Sequence, residues 1–332
     1  MTTLSRLDRR RFLTSCLPLG AGVLSAAPFT CHRRPEINRR RPVSHVAILN
    51  AESYSGKLEQ LLMDGLSLFK PAVKGKKILL KPNLVEFVLG KEVTTHPALV
   101  GAAAECFLRL GAQRVIVAEG SGHQRDTDEL LVATGLREQL RQRRVEFVDL
   151  NRDDLTKIRL KSNYTGLGHL CLPNAVLDSD FVVSMPKVKT HHWAGVTLSL
   201  KNMFGIVPGM KYGWPKNLLH WRGINESIVD ICATVPVDFV IADGIVAMEG
   251  NGPLHGSSRQ LGALILADDP VAADATASRI MTLSPERLPY LREAQFLGNM
   301  CKSDIQQLAV SIESVRQPFQ VLPAFSTLVD SV

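Results

Sequence analysis

Four short apolar runs, each followed by a longer stretch or a turn leading into the next, constrain this chain more than any other feature. Val46-Ala47-Ile48-Leu49 reads as a strand, and residues 56–69 follow as a helix with Leu58, Leu61, Leu62 and Leu66 on one face. Lys77-Ile78-Leu79-Leu80-Lys81 is a second strand, and residues 97–110 a helix with Pro97 in its first turn. Arg114-Val115-Ile116-Val117-Ala118 is a third strand, leading through Glu119-Gly120-Ser121-Gly122 into a helix near 126–141, and Val145 to Leu150 is a fourth. Parallel strands need a crossover between them, and a helix is the usual solution. The alternation therefore predicts an α/β fold, a mainly parallel sheet with helices on both faces.

Beyond Leu150 the pattern changes. Residues 151–175 read as a less regular β section with turns at Gly166 and Gly168, and a subdomain break is expected near 151–180. Phe181-Val182-Val183-Ser184-Met185 is a buried strand, followed by a loop-rich stretch to about Lys216 and a helix to Thr234. Strands at Phe239–Ala242 and Leu261–Ala267, helices near 270–281 and 285–297, and a weaker C-terminal strand or two complete the chain.

The first 41 residues do not belong to this pattern. Arg9-Arg10-Arg11-Phe12-Leu13 carries the R-R-x-F-L core of a twin-arginine export signal, read by the Tat translocase. The apolar run from Phe12 to Phe29 is broken by Pro18, Gly20, Gly22 and Pro28, which makes it marginal as a membrane span, and Ala26-Ala27 offers small residues to a peptidase. Cys31 follows Pro28-Phe29-Thr30, a poor lipidation sequence, and Cys16 comes too early, with most of the apolar run still after it, so both weigh against a lipoprotein. The expected location is periplasmic or otherwise extracytoplasmic. Residues 1–41 hold nine Arg against Asp8 and Glu36, which leaves 30 basic and 30 acidic residues in 42–332. The expected α/β domain, 42–332, is thus neutral, and the net charge of +7 gives no argument for a nucleic-acid partner.

Within that neutral body one segment stands apart. From Phe181 to Asn225 there is no Asp or Glu, while the same 45 residues hold Lys187, Lys189, Lys201, Lys211, Lys216, Arg222, three histidines (His191, His192, His220) and all three tryptophans. A strand end running into a basic Gly/Pro-rich loop suits an anion, because ligands of open α/β sheets gather at strand carboxyl ends. Three more strand ends add to it: Lys81-Pro82-Asn83, Glu119-Gly120-Ser121-Gly122, whose backbone N–H groups at a helix start would favour an anion, and Asp243-Gly244 with Glu249-Gly250-Asn251-Gly252-Pro253 beyond. The cysteines after residue 30 (Cys31, Cys106, Cys171, Cys232, Cys301) stand singly, so no zinc knuckle or iron–sulfur motif is written in the chain. Cys106 and Cys232 fall in apolar helical patterns and read as buried small hydrophobes.

At these residues the sequence resembles a bacterial and archaeal family, domain of unknown function 362. The resemblance rests on Lys81-Pro82-Asn83, Thr95-His96-Pro97, Glu119-Gly120, Asp180, and Met185-Pro186-Lys187-Val188-Lys189-Thr190-His191. It continues through Leu198-Ser199-Leu200-Lys201-Asn202 with Gly205, Asp243-Gly244, Glu249 to Pro253 with Gly256, and Asp274, in order over roughly residues 45–300. Some members carry a ferredoxin-like iron–sulfur module and some a Tat leader. This chain lacks the cysteine runs of the module.

The expectation is an enzyme acting on a small carboxylate- or phosphate-bearing molecule. Lys81, Asn83, His191, Lys201 and Asn202 bind the anion, and Lys187, Lys189 and Glu119 serve the chemistry, a lysine among other cations having a lowered pKa that suits a base. Asp243 and Glu249 are the expected ligands of a divalent cation, Mg or Mn rather than zinc, given oxygen donors. His191 and His192, adjacent on a strand, are expected to face opposite ways. Two alternatives compete: a binding protein for an anionic ligand or cofactor, separated by bound ligand without turnover, and a redox subunit served by a separate ferredoxin-like partner, separated by a co-purifying iron–sulfur protein.

Overall fold

The computed structural model describes residues 37–54 and 56–330. The Arg9–Leu13 motif, the Ala26-Ala27 pair, Cys16 and Cys31 lie outside them. Twelve strands are present among the described residues: β1 (Ser44–Asn50), β2 (Lys77–Pro82), β3 (Arg114–Glu119), β4 (Glu146–Asp149), β5 (Leu155–Arg159), β6 (His169–Pro173), β7 (Phe181–Met185), β8 (Lys187–His191), β9 (Gly195–Thr197), β10 (Phe239–Glu249), β11 (Ser257–Ala267) and β12 (Ile305–Ala309). The main helices are α1 (Leu58–Phe69), α2 (Pro97–Arg109), α3 (Thr127–Ala133), α4 (Leu136–Arg143), α5 (Asn174–Leu177), α6 (Ser199–Asn202), α7 (Gly209–Tyr212), α8 (Asn217–Trp221), α9 (Ile224–Thr234) and α10 (Pro270–Ile280).

Eight strands lie side by side in the order β12-β1-β11-β10-β7-β2-β3-β4, with β8 branching from β10 and β9 pairing with β8. Every ladder along that path is parallel except the two that β11 makes with β1 and β10. The fold is therefore α/β with a mostly parallel central sheet, and period-two burial gives it two cores. Val46, Ile48, Leu79, Val182 and Ile265 face one core, with Leu200 of α6, Ile228 and Ile231 of α9 and Ala275 of α10. Ala47, Leu49, Ile78, Leu80, Val183 and Leu266 face the other, with Leu62 of α1, Phe107 of α2 and Leu140 of α4. Both faces are covered by helices, which is why these strands read as continuous apolar runs.

Four expectations need correction. The helix near 126–141 is two, because Gly135 at φ +78° takes the left-handed region and separates α3 from α4. The 285–297 helix is a 3-10 turn, a short helix Pro289–Glu293 and another turn, since Pro289 cannot continue a preceding helical ladder. The β5–β6 hairpin is a separate two-stranded sheet, yet Leu160, Leu170 and Leu172 share the core of α9 and α10 instead of forming a subdomain core. The loop-rich stretch after Met185 opens with two strands. β8 is a buried continuation of β7 past Pro186, whose carbonyl accepts from Asp243 N at 2.8 Å.

Arg39 to Arg41, the last of the 41 residues set apart from the domain by charge, dock on the body. Arg39 donates to the Cys232 and Ala233 carbonyls at 3.1 and 2.8 Å, satisfying the last turn of α9. Arg40 pairs with Asp304 and Arg41 with Asp268.

Candidate functional site

β2 ends at Pro82 and β3 at Glu119, while β8 and the far half of β10 run on past that edge. The sheet edge and this overhang enclose a cavity of about 270 Å³. Its deepest feature is an ion pair between Lys81 Nζ and Glu119 Oε2, 2.5 Å apart, both groups buried. Lys81 Nζ also donates to Asn202 Oδ1 at 3.0 Å, and Asn83 Nδ2 donates to the same oxygen at 3.2 Å. Asn202 Nδ2 donates in turn to the Lys81 carbonyl and to Ser184 Oγ. Glu119 is held from both sides: Oε2 also accepts from Leu84 N, and Oε1 accepts from Gly120 N. It serves as a fixed counter-ion to Lys81, with acceptor capacity left on Oε1. Burial lowers the Lys81 pKa, and the Glu119 charge opposes that effect.

Two further ammonium groups complete the wall. Lys201 sits on α6, whose first amides are held by a carboxylate from α10: Asp274 accepts from Ser199 N at 2.6 Å and Leu200 N at 3.1 Å. Among the described residues Lys201 Nζ has neither an ion pair nor a hydrogen bond, and it lies 4.5 Å from the centre of the Phe204 ring. Burial, then repulsion from Lys81, brings its pKa down to about 8, against an opposing pull from Glu119. Lys216 is held in the left-handed region at φ +72° and donates to the carbonyls of Gly120 and Phe204 at 2.9 and 3.1 Å. Burial lowers it to about 7, opposed by Glu119 and assisted by Lys81 and Lys201. Three lysines thus share one carboxylate, and the site lacks negative charge.

Histidines supply the remaining polar wall: His123, His191, His192, His220 and His255 all line the cavity. Their hydrogen bonds assign tautomers for three of them. His191 Nδ1 accepts from Trp193 N and Ala194 N at 3.0 and 3.2 Å, so its proton is on Nε2. His192 Nδ1 faces the Gly252 carbonyl at 2.7 Å and His220 Nδ1 the Lys216 carbonyl at 3.2 Å, so both carry the proton on Nδ1 and keep a lone pair on Nε2. His191 and His192 do not point opposite ways. The strand ends at His191, His192 opens a turn, and the two rings stack with centroids 4.9 Å apart. Burial drives the His191 pKa well below its ordinary value, and burial with the neighbouring lysines brings His220 to about 4.

The cavity gathers Lys81, Asn83, Glu119, His191, Lys201 and Asn202. It does not gather the other four predicted residues. Lys187 sits in a closed network behind the wall, pairing with Asp243 at 3.1 Å and Glu92 at 3.2 Å and donating to Tyr54 at 2.9 Å. Lys189 is fully buried and donates to the Val93 carbonyl at 2.7 Å, and burial holds its pKa far below the usual lysine value. Asp243 does not close a strand. It lies inside β10, with both oxygens taken by Tyr54, Ile245 N, His96 N and Lys187. Glu249 is six residues further along, roughly 20 Å at strand rise, bound to Arg259 and Gln320 N. These donors do not converge, so the expected Mg or Mn pair does not fit, and no cluster of metal-ligating side chains occurs among the described residues. The Gly120-Ser121-Gly122 amides do not start a helix either. α3 begins at Thr127 with Asp126 as its cap, and Gly120 N is spent on Gly205 O and Glu119.

Residue types alone pass over His123, Thr197 and Phe204 as site members, while Lys216 is counted among the cations of the acid-free segment without a role at the site. His123 and His255 sit beside the glycine-rich turns already noted, a proximity signal, whereas Thr197 carries none.

Residues 78–279 match the model of a family described as a domain of unknown function, DUF362. A thylakoid-associated protein of Synechocystis sp. is 31% identical over 268 residues, covering 77% of this chain and 80% of that protein. Among solved structures, the lactate racemase apoprotein from Thermoanaerobacterium thermosaccharolyticum aligns with a TM-score of 0.46 at 11% identity, over 74% of this chain and 58% of that one. A crystal structure of a Thermotoga maritima protein aligns with a TM-score of 0.35 at 15% identity, over 57% and 51%. The chain thus spans just over half the length of these two structures.

Proposed function

The chain belongs to the domain of unknown function 362 family, and from that premise we propose that it is an enzyme that binds a small carboxylate- or phosphate-bearing molecule and moves a proton on it. One observation carries the reading: three buried or half-buried lysines face a single carboxylate, and among the described residues Lys201 has no ion pair or hydrogen bond of its own. A cavity short of negative charge is completed by an anion. Lys201 pairs with that anion, Lys216 adds positive field, and Lys81 is held for the same purpose by Glu119. The Nε2 atoms of His192 and His220 are the candidate bases, and His191 Nε2–H the candidate donor. An anion cancels the repulsion that lysines exert on His220 and lifts its pKa toward a working range.

Calorimetric titration of the protein with sodium sulfate and with sodium acetate tests the binding step. One anion per chain is expected, with binding lost in Lys201→Ala and retained in Lys187→Ala if that variant folds. Equal affinity in wild type and Lys201→Ala rules the site out.

We further propose export of the folded chain by the Tat route, which the Arg9–Leu13 motif supports. No helix of the described residues is long and apolar enough to cross a membrane.

A further inference from the structure

Among the described residues, three buried polar atoms in the cavity wall have no hydrogen-bond partner: Asn83 Oδ1, Thr197 Oγ1 and His123 Nδ1. Buried polar atoms are nearly always paired with protein or solvent, so these three offer hydrogen bonds that a ligand displacing solvent would take over. The chemistry of the first is set by its neighbours. The Lys81 backbone carbonyl can only accept, so the Asn202 atom facing it is Nδ2, and Asn202 Oδ1 then faces Lys81 Nζ and Asn83. Asn83 therefore turns its Nδ2 to Asn202 and leaves its carbonyl oxygen unpaired, with the residue 5% exposed. An oxygen acceptor in that position asks for a donor on the ligand. A bare anion has none. Thr197, 3% exposed, offers a hydroxyl that can donate or accept.

One side of the wall presents ring faces and apolar carbon. Phe204, His220 and Trp193 form a row of rings, with centroids 5.1 and 4.8 Å apart from one to the next, and Pro253 and Leu254 line the cavity too. Lys201 stands over the Phe204 end of this row. An ammonium beside an aromatic row suits a molecule whose anionic group is joined to an apolar body.

We propose that the substrate class is a carboxylate carrying both a hydroxyl group and an aromatic or branched apolar body. The carboxylate meets Lys201, the hydroxyl bridges Asn83 Oδ1 and Thr197 Oγ1, and the apolar body lies along Phe204 and Trp193. This inference rests on the anion-binding reading of the same cavity.

Four acids separate the terms: acetate, glycolate (hydroxyl added), phenylacetate (ring added) and mandelate (both added). Calorimetry should give phenylacetate an affinity about tenfold or more above acetate, the gain expected for burying a phenyl group. Glycolate should exceed acetate by about three- to tenfold, the worth of one hydrogen bond, with mandelate tightest. Asn83→Ala should abolish the hydroxyl gain and keep the ring gain. Thr197→Val, which removes a hydroxyl with no protein partner, should reduce the hydroxyl gain and leave the folded protein's stability unchanged. Acetate and mandelate binding equally, with both lost in Lys201→Ala, overturns the substrate class and leaves the anion site standing. A hydroxyl gain that persists undiminished in both variants overturns the bridging geometry. If none of the four acids and no sulfate binds the wild type, the anion reading itself falls.

Discussion

At the scale of single residues the site is a cluster of buried ammonium groups that share one carboxylate. Lys216 at about 7 and Lys201 at about 8 lie below the ordinary lysine value of 10.5 because burial penalises their charge. The unfolded chain then holds more protons than the folded one between those values, so ligand-free stability gains from these two residues as pH rises from about 7 toward 10.5. Anion binding works the other way. A bound anion raises both values, so above pH about 7 each binding event must import protons and affinity falls. Sulfate, which does not titrate in this range, should raise the melting temperature more at pH 6.5 than at pH 9. The difference should shrink in Lys201→Ala, and an equal shift at both pH values in wild type would show that the lysines do not take part.

At the scale of elements, the cavity exists because backbone passes close over a buried ion pair. A Cβ placed on Gly205 would land on Glu119 Oε1 and Lys81 Nζ, and one on Gly120 would come within 2.9 Å of the Gly205 carbonyl. No flexible side-chain end can yield there without breaking the pair. Gly205→Ala should therefore destabilise by about 1–3 kcal/mol in urea unfolding, the usual cost of overpacking, and weaken sulfate binding. Gly122→Ala meets nothing nearer than Val85 Cγ1 at 3.9 Å and should be close to neutral in both measurements. Asp274 acts at the same scale. It fixes the first turn of α6 from α10, and so sets where Lys201 and Asn202 stand.

At the scale of the whole molecule, the described body begins before the sheet does. Arg39, Arg40 and Arg41 tie the chain to the end of α9, to Asp304 and to Asp268, ahead of β1. A leader peptidase acting near Ala26-Ala27 would leave all three on the mature protein. N-terminal sequencing of material secreted by a Tat-competent bacterial host should accordingly give a start upstream of Arg39. Changing Arg9 and Arg10 together to Lys should hold the protein in the cytoplasm as folded, anion-binding material. Export undiminished by that change would remove the twin-arginine reading.

Much of this molecule was legible in its residues because the signals are local. Runs such as Ile78-Leu79-Leu80 and Val115-Ile116-Val117 are apolar on both faces only when helices cover both, so the parallel α/β sheet follows from period and spacing. The acid-free segment located the cations, and the turn after Pro82 and the end of β3 located their partners. What remained hidden depends on distances between segments far apart in the chain. Lys187 and Lys201 look alike in sequence. Yet Pro186 turns β8 along β10 and delivers Lys187 to Asp243 and Glu92, whereas Asp274 holds Lys201 at the cavity, where none of the described residues pairs with its ammonium. Asp243 and Glu249 looked like one metal pair because sequence separation says nothing about strand length, and a continuous β10 carries them apart. Composition determined that there would be cations to spend. Only tertiary packing, by choosing which carboxylates to bury beside them, decided which cation was left for a ligand.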